Sequence, residues 1–152
     1  MNILITRPLI DAEDLMGKLF SLGHKIIHIP TLQVKPVTNQ KCDAKNYDAF
    51  IFTSANAIRN LKLLNEDKKK LCFCVGSITE KIVRQKGYSN TISAGGNVNA
   101  LKNIILNSDF DKKKKIAYFC GDYISTDLDL DLKREGYLCL LYTSDAADDL
   151  YR

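Results

Sequence analysis

The chain has 152 residues, of which 45% are hydrophobic and 26% charged, and its formal net charge is +4. This composition is typical of a soluble globular protein and not of a disordered chain, and no apolar run approaches the ~20 residues that a bilayer span requires. The positive charge comes partly from two lysine runs that stand apart from the aromatic residues, which argues against a nucleic-acid-binding face.

The five cysteines form neither a CxxC pair nor an even framework, so neither a zinc site nor a disulfide scaffold is predicted. Most of them lie among apolar residues of predicted strands, where a free thiol packs as a small hydrophobic group. The amino-terminal MNILITRP lacks the basic segment, long apolar stretch and cleavage site of a secretory signal. We expect a cytoplasmic protein with no metal site and no nucleic-acid or membrane partner.

The opening of the chain, residues 1–30, is predicted to form a βαβ unit. An apolar strand comes first, a helix follows between the start signal Asp11 and the stop signal Gly23, and a second apolar strand ends at Pro30. A lone unit of this kind leaves one sheet face uncovered, so we expect it to expose apolar surface. The proline-bounded segment 31–38 then predicts a crossing linker between two lobes.

Residues 39–138 repeat the pattern of an apolar strand followed by a helix. The predicted strands are 49–52, 71–75, 90–93 and 116–120, and the predicted helices begin near Ala57, Ser77, Val98 and Ser125. Ser77 and Glu80 have the spacing of a capping box. In the last helix the leucines also alternate as in a strand, but acidic residues near its start and basic residues near its end favour the helix.

This alternation predicts parallel strands connected through helices. The predicted fold class is therefore α/β, with a flavodoxin-like parallel sheet covered by helices on both faces and an incomplete second α/β lobe.

The turns that follow the strands carry the chemistry. They are Thr6-Arg7-Pro8, Thr53-Ser54-Ala55-Asn56, Gly76-Ser77-Ile78-Thr79 and Gly121-Asp122-Tyr123. In open parallel sheets ligands bind beyond the carboxyl ends of the strands, where each helix start presents about four N–H groups without an intrahelical partner. Small and hydroxyl-bearing residues there predict recognition of a carboxylate or phosphate. The simpler interpretation is that the serines only cap helices, and that Arg7 forms a structural salt bridge.

Several catalytic templates are absent from the sequence. It contains no GxGxxG, GxxxxGK[ST], HExxH or GxSxG motif, which excludes the dinucleotide, nucleoside-triphosphate, zinc-protease and esterase patterns. The two histidines, His24 and His28, lie beside a turn and in a strand, so we expect core packing or exposure and not a catalytic pair.

An ordered set of motifs resembles the uroporphyrinogen-III synthase family. ILITRP, YDAFIFTSANAI, VGSITEKIVRQKG and a strand-CG-helix-Gly unit occur in the family's order over residues 1–138. The resemblance implies a two-lobed, flavodoxin-like enzyme whose first lobe is built from both chain ends. It also implies a cofactor-independent reaction of haem biosynthesis, in which hydroxymethylbilane loses water, its last pyrrole ring is inverted and the macrocycle closes.

The resemblance also implies the substrate-binding residues, although it assigns no catalytic acid. They are Arg7, Thr53, Ser54, Ala55, Asn56, Gly76, Ser77, Thr79 and Gly121. The expected partner is the small-molecule substrate hydroxymethylbilane, bound by a monomer.

The end of the chain departs from the family pattern. CLLYTSDAADD, from Cys139, resembles a translated sequencing adaptor, and Tyr142 follows Gly136 too closely to match the family's candidate acid. We therefore expect residues 139–152 to be a non-native tail and the chain to be a truncated, inactive fragment. A natural acidic tail is the alternative interpretation.

Two other functions fit parts of the pattern. A flavodoxin-like domain that binds a nucleotide phosphate or flavin would use the same turn after residue 52. A non-enzymatic receiver-like module would need clustered acidic residues at strand ends, and Asp122 supplies one of them while Thr6-Arg7 supplies none.

Overall fold

The computed structural model describes residues 1–31, 44–61, 68–121 and 126–142. The chain divides into two compact units, Met1–Pro36 and Val37–Arg152. The division falls within the predicted linker 31–38, of which all but Thr31 lies outside the described residues.

The first unit contains two parallel strands and one helix. Strand β1 (Asn2–Ile5) pairs with β2 (Lys25–His28), and helix α1 (Leu9–Ser21) connects them. The helix begins before the predicted start at Asp11: Pro8 is its N-cap, and the Asp11 N–H donates to the Pro8 carbonyl at 3.0 Å. Gly23 adopts a left-handed φ of 80°, a conformation that glycine accepts without strain and that lets the chain turn into β2.

Much of the apolar surface of this unit is exposed, as expected for two strands and a single helix. Leu4 and Ile27 lie opposite each other in the register and are both exposed, whereas the neighbouring Ile5 is buried. Phe20 on α1 is 75% exposed. A two-stranded sheet with one uncovered face is at best marginally stable by itself.

The second unit is a five-stranded parallel sheet with four helices among its described residues. Its elements in chain order are β3 (Ala49–Phe52), α2 (Ala55–Asn60), β4 (Leu71–Cys74), α3 (Ser77–Gln85), β5 (Thr91–Ser93), α4 (Val98–Leu106), β6 (Lys115–Phe119), α5 (Leu128–Arg134) and β7 (Leu138–Tyr142). The strand order is β5-β4-β3-β6-β7, and every pair is parallel. The predicted α/β class and the second small sheet are confirmed.

Numbered within the unit, the strand order is 3-2-1-4-5. It differs from the flavodoxin order 2-1-3-4-5 in both its edge strand and its central strand, and it matches the first five strands of the other common doubly wound order, 3-2-1-4-5-6. Helices cover both faces, as predicted, since residues of β3 alternate between two core clusters. Ile51 packs with residues of α4 and α5, while Phe50 and Phe52 pack with residues of α2 and α3.

The sheet extends beyond residue 138, where the second lobe was predicted to end. Strand β7 pairs with β6 so that Ile116 lies opposite Cys139 and Phe119 lies opposite Tyr142. Cys139 is buried, and the ring of Tyr142 stacks on Phe119 with centroids 5.4 Å apart. The signal for this strand was the apolar run that follows Gly136. Residues 143–152 lie outside the described part, and the non-native origin of the tail stays a prediction.

The four cysteines in the described part of the chain are free and buried, which agrees with their predicted packing role; Cys42 lies outside it. No helix among the described residues is long and apolar enough to cross a membrane.

The predicted capping box of α3 is wrong. Gly76 occupies the N-cap and Ser77 is the first helical residue, so Ser77 does not cap the helix. The Glu80 carboxylate instead accepts hydrogen bonds from Thr91 Oγ1 at 2.7 Å and from Arg84 Nε at 3.1 Å. These bonds tie α3 to β5, and they hold the pKa of Glu80 below its usual range.

Two isoleucines provide a matched test of the core of the second unit. Ile51→Ala should lower the free energy of unfolding by about 2–5 kcal/mol, because Ile51 is fully buried. Ile78→Ala removes the same atoms at a position that is 72% exposed, and it should change the free energy by less than about 0.5 kcal/mol. Urea unfolding followed by circular dichroism measures both values, and equal effects would contradict the described packing.

Glu80→Gln should destabilise the protein at neutral pH but not in acid. Because the folded pKa of Glu80 is lowered, its carboxylate contributes stability above the unfolded pKa of ~4.3, and this contribution is lost as the pH falls through the folded value. Urea midpoints of wild type and variant should therefore differ at pH 7 and converge as the pH is lowered through the folded pKa of Glu80. Glu135→Gln, at an exposed helix end, is the control; a Glu80→Gln difference that persists in acid would refute the carboxylate's role.

Candidate functional site

The carboxyl ends of all five strands of the second unit lie at the same end of its sheet, because every pair is parallel. We call this end of the sheet the edge; it is distinct from the outer strands β5 and β7. The central strand β3 has β4 on one side and β6 on the other. After β3 the chain runs outward to β4 and β5, then returns to β6 on the opposite side. Ligands of open α/β sheets bind where the strand order reverses in this way, so the turn after β3 stands at the centre of the candidate site.

The turn after β3 is organised by side-chain hydrogen bonds. Ser54 is the N-cap of α2, and its Oγ accepts a bond from the Asn56 N–H at 3.2 Å. Asn56 Oδ1 accepts a bond from Arg59 Nη1 at 2.8 Å. Ala55 begins the helix. The capping interpretation therefore holds for Ser54, which leaves Thr53 as the hydroxyl of this turn that does not cap.

Thr53 is linked to the neighbouring strand. The phenol of Tyr118 on β6 donates a hydrogen bond to Thr53 Oγ1 at 3.4 Å. Tyr118 was not among the predicted site residues, because its position beside β3 depends on the strand order and not on any local sequence signal.

The turn after β4 differs from the turn after β3 because no side-chain oxygen caps α3 in the described structure. Ser77 is exposed, whereas Thr79 is buried beneath the helix start. Gly76 lies close to the turn after β5: a Cβ at Gly76 would stand 3.6 Å from the Cα of Gly96. The Gly96 N–H also donates to the Val75 carbonyl at 2.9 Å. The two turns therefore form one continuous backbone surface.

The turn after β5 is a site element that the sequence analysis did not propose. Gly95 and Gly96 are exposed, and Asn97 caps α4 by accepting the Ala100 N–H at 2.7 Å. Its sequence, Gly95-Gly96-Asn97, is typical of a loop that leads into a helix. Only the pairing of β4 with β5 places this loop beside Gly76.

Gly121 and Arg7 belong to different units of the chain. Gly121 is exposed just after β6, and a Cβ there would meet no atom within 4 Å. Tyr123 lies outside the described residues. Arg7 belongs to the first unit, where its carbonyl accepts a bond from His28 Nε2 at 2.8 Å. The second unit thus carries the predicted residues from Thr53 to Gly121 at one edge, and the first unit carries Arg7.

Three buried cysteines and a buried tyrosine of the sheet keep their protons at physiological pH. Burial raises the pKa of the Cys74 and Cys139 thiols to about 12 each, and it raises that of Cys72 still further. Burial likewise raises the pKa of Tyr118 to about 12. No group of three or more His, Cys, Asp or Glu side chains within the described ranges is suited to hold a metal ion. The edge therefore offers hydroxyl and backbone N–H donors.

Comparison with known proteins identifies a matching family model and a solved structure with a similar fold. The family model described as uroporphyrinogen-III synthase HemD matches residues 13–142. The crystal structure of uroporphyrinogen III synthase from the extremely thermophilic bacterium Thermus thermophilus superposes with a TM-score of 0.56 at 14% sequence identity. The match covers 94% of this chain and 60% of that chain, and at this identity it demonstrates the fold alone. No curated protein sequence matches the chain.

The family match overlaps most of the region of the motif resemblance: it includes YDAFIFTSANAI and VGSITEKIVRQKG, but it begins after ILITRP and ends at residue 142. The matched region includes the turns after β3, β4 and β6, and it continues through the last residue of β7. Because the model spans most of its length, the chain belongs to the uroporphyrinogen-III synthase family.

Proposed function

We propose that the chain is part of an enzyme that converts hydroxymethylbilane into uroporphyrinogen III in haem biosynthesis. The observation that carries this proposal is the family match over residues 13–142, which includes the donor-rich edge of the second unit. The reaction is a cyclising loss of water: the terminal hydroxyl leaves, the last pyrrole ring is inverted, and the ring closes. The enzyme is accordingly a lyase.

The reaction mainly requires the protein to hold its substrate in a folded conformation. Departure of the hydroxyl leaves a resonance-stabilised azafulvene cation, and the inversion passes through a spiro intermediate. Bringing the two ends of a flexible linear tetrapyrrole together is worth up to ~7–11 kcal/mol of barrier when orientation is favourable. No cofactor is needed for these steps.

The residues of the edge suit the eight carboxylate side chains of this substrate. The first turn of α3 has no side-chain cap in the described structure, so its N–H groups are free to bind a carboxylate there. Ser77 is exposed beside them, and Gly76 has no side chain to block approach to the backbone. Thr53, Ser54, Ala55 and Asn56 supply the adjacent turn and Gly121 the next, while Thr79 supports the start of α3.

We further propose that Arg7 of the first unit contributes a cation to the same substrate. A guanidinium binds carboxylate in a two-bond, planar geometry that matches this role. The hydrogen bond from His28 to the Arg7 carbonyl fixes the turn that carries it. The exposed Leu4 and Ile27 and the 60% coverage of the Thermus enzyme support the proposal that further segments complete the first lobe.

We also propose that the protein acts in the cytoplasm as a monomer.

The two alternatives have less support. A flavin-binding domain and a receiver module fit the α/β fold, but the family match favours neither.

The ratio of product isomers tests the expectation that the chain is a truncated, inactive fragment. Hydroxymethylbilane that closes without an enzyme gives the type I isomer, so only catalysed closure gives type III. The 152-residue chain matches only 60% of the Thermus enzyme, so it should yield mostly type I, with type III formation at least about 100-fold slower than for that enzyme. Chromatography of the oxidised products measures the ratio, and type III formation at the rate of the complete enzyme would contradict the truncation proposal.

A charge placed in the first turn of α3 tests carboxylate binding. Ser77→Asp should weaken binding of uroporphyrin III, an eight-carboxylate porphyrin, by about tenfold, because like charges repel at close range. The same change should not destabilise the protein, because an acidic residue is favourable at a helix N-terminus. Isothermal titration calorimetry measures the affinity and urea unfolding the stability.

Ser89→Asp is the control for this experiment. It adds the same charge before β5, at the opposite edge of the sheet. Equal loss of affinity in both variants would mean that overall charge, and not the turn at Ser77, governs binding.

A further inference from the structure

The phenol of Tyr118 connects the core of the second unit to its donor-rich edge. Tyr118 lies on β6 directly opposite Ile51 of β3, and it is 1% exposed. Thr53 follows Ile51 by two residues, so its side chain projects from the same face of the sheet. The Tyr118 hydroxyl spans this diagonal and donates to Thr53 Oγ1 at 3.4 Å.

We propose that Tyr118 is a positioning residue that orients the Thr53 hydroxyl as a donor toward a bound carboxylate. The inference rests on the proposed function, since it requires a carboxylate ligand at this edge. A threonine hydroxyl has one proton to donate and two lone pairs with which to accept. When Tyr118 occupies a lone pair from the core side, the proton of Thr53 is left to point out of the core, toward the edge.

The direction of this hydrogen bond is stable over the physiological pH range. Burial raises the pKa of Tyr118 to about 12, so the phenol keeps its proton and remains a donor. Ionisation, which would turn it into an acceptor and draw the Thr53 proton inward, does not occur near neutral pH. The pair therefore presents a donor to an anion with no change of protonation.

Tyr118 places a hydroxyl group in the core, which a phenylalanine at this position would not. Apolar side chains pack around Tyr118 on this face, among them Ile116, Leu128 and Leu132. The nearby Asp129 carboxylate and the Cys120 and Cys139 thiols add to burial in raising the pKa of the phenol. A phenylalanine ring would fill the same space, and a buried hydroxyl is costly unless it is hydrogen-bonded. The contact with Thr53 is thus what the phenol oxygen contributes at this position.

Tyr118→Phe removes the donor and keeps the ring. The variant of the 152-residue chain should bind uroporphyrin III about 2- to 10-fold more weakly than wild type, the range expected for one hydrogen bond. Isothermal titration calorimetry gives the affinity, and circular dichroism establishes that the variant is folded.

Tyr137→Phe is the matched control. Tyr137 is also buried, at 3% exposure, and its phenol donates to the Ile105 carbonyl at 3.1 Å. It precedes β7, at the opposite edge of the sheet. Loss of the Tyr137 hydroxyl should lower the free energy of unfolding about as much as Tyr118→Phe does, and it should leave the affinity for uroporphyrin III unchanged.

A double-mutant cycle separates positioning from general stabilisation. Thr53→Val should weaken binding, Thr53→Ser should retain most of it, and Tyr118→Phe should cost nothing further in the Thr53→Val background. Equal effects of Tyr118→Phe in both backgrounds would overturn the positioning role, as would wild-type affinity in the single variant. If Tyr118→Phe fails to fold, wild-type affinity of Thr53→Val overturns the inference by itself. Failure of the wild-type chain to bind uroporphyrin III would overturn the proposed carboxylate site as well.

Discussion

The parallel hydrogen-bond ladder around β3 is the constraint on which the rest of the second unit depends. All four residues of Ala49–Phe52 are fully buried, because strands lie on both sides and helices cover both faces. A strand in that position has no freedom in its register, since a slip of one residue would exchange its two sets of apolar side chains between the two core clusters. The turn after β3 therefore starts at a fixed point.

That fixed point explains why an apolar strand is followed by Thr53, Ser54, Ala55 and Asn56. The strand ends where the chain must turn into α2, and the turn lies at the reversal of strand order. Ser54 serves the local need by capping the helix. Thr53 has another environment, since its hydroxyl is bonded from the core by Tyr118. Helix capping therefore belongs to Ser54, and the proposed ligand recognition is assigned to Thr53, a different residue of the same turn.

Sequence patterns were sufficient for the elements and insufficient for their arrangement. The predicted strand 49–52 matches β3 in full, and the ambiguous leucine-rich segment is helical over Leu128–Arg134, as its end charges indicated. The strand order, the place of the Gly95-Gly96 turn and the contact of Tyr118 with Thr53 all depend on which strands pair across a crossover, which local periodicity does not encode. The capping box failed for a different reason: Glu80 had better partners in Thr91 and Arg84.

The exposed apolar side chains of the first unit have a consequence for the life of the chain in a cell. Leu4, Leu9, Ile10, Phe20 and Leu22 are all more than half exposed in the structure. Surfaces of this kind are what chaperones and quality-control proteases recognise, and the amount of a protein in the cell reflects how quickly they remove it. The abundance of this polypeptide would then be set by its amino-terminal βαβ unit, however well the larger sheet is packed.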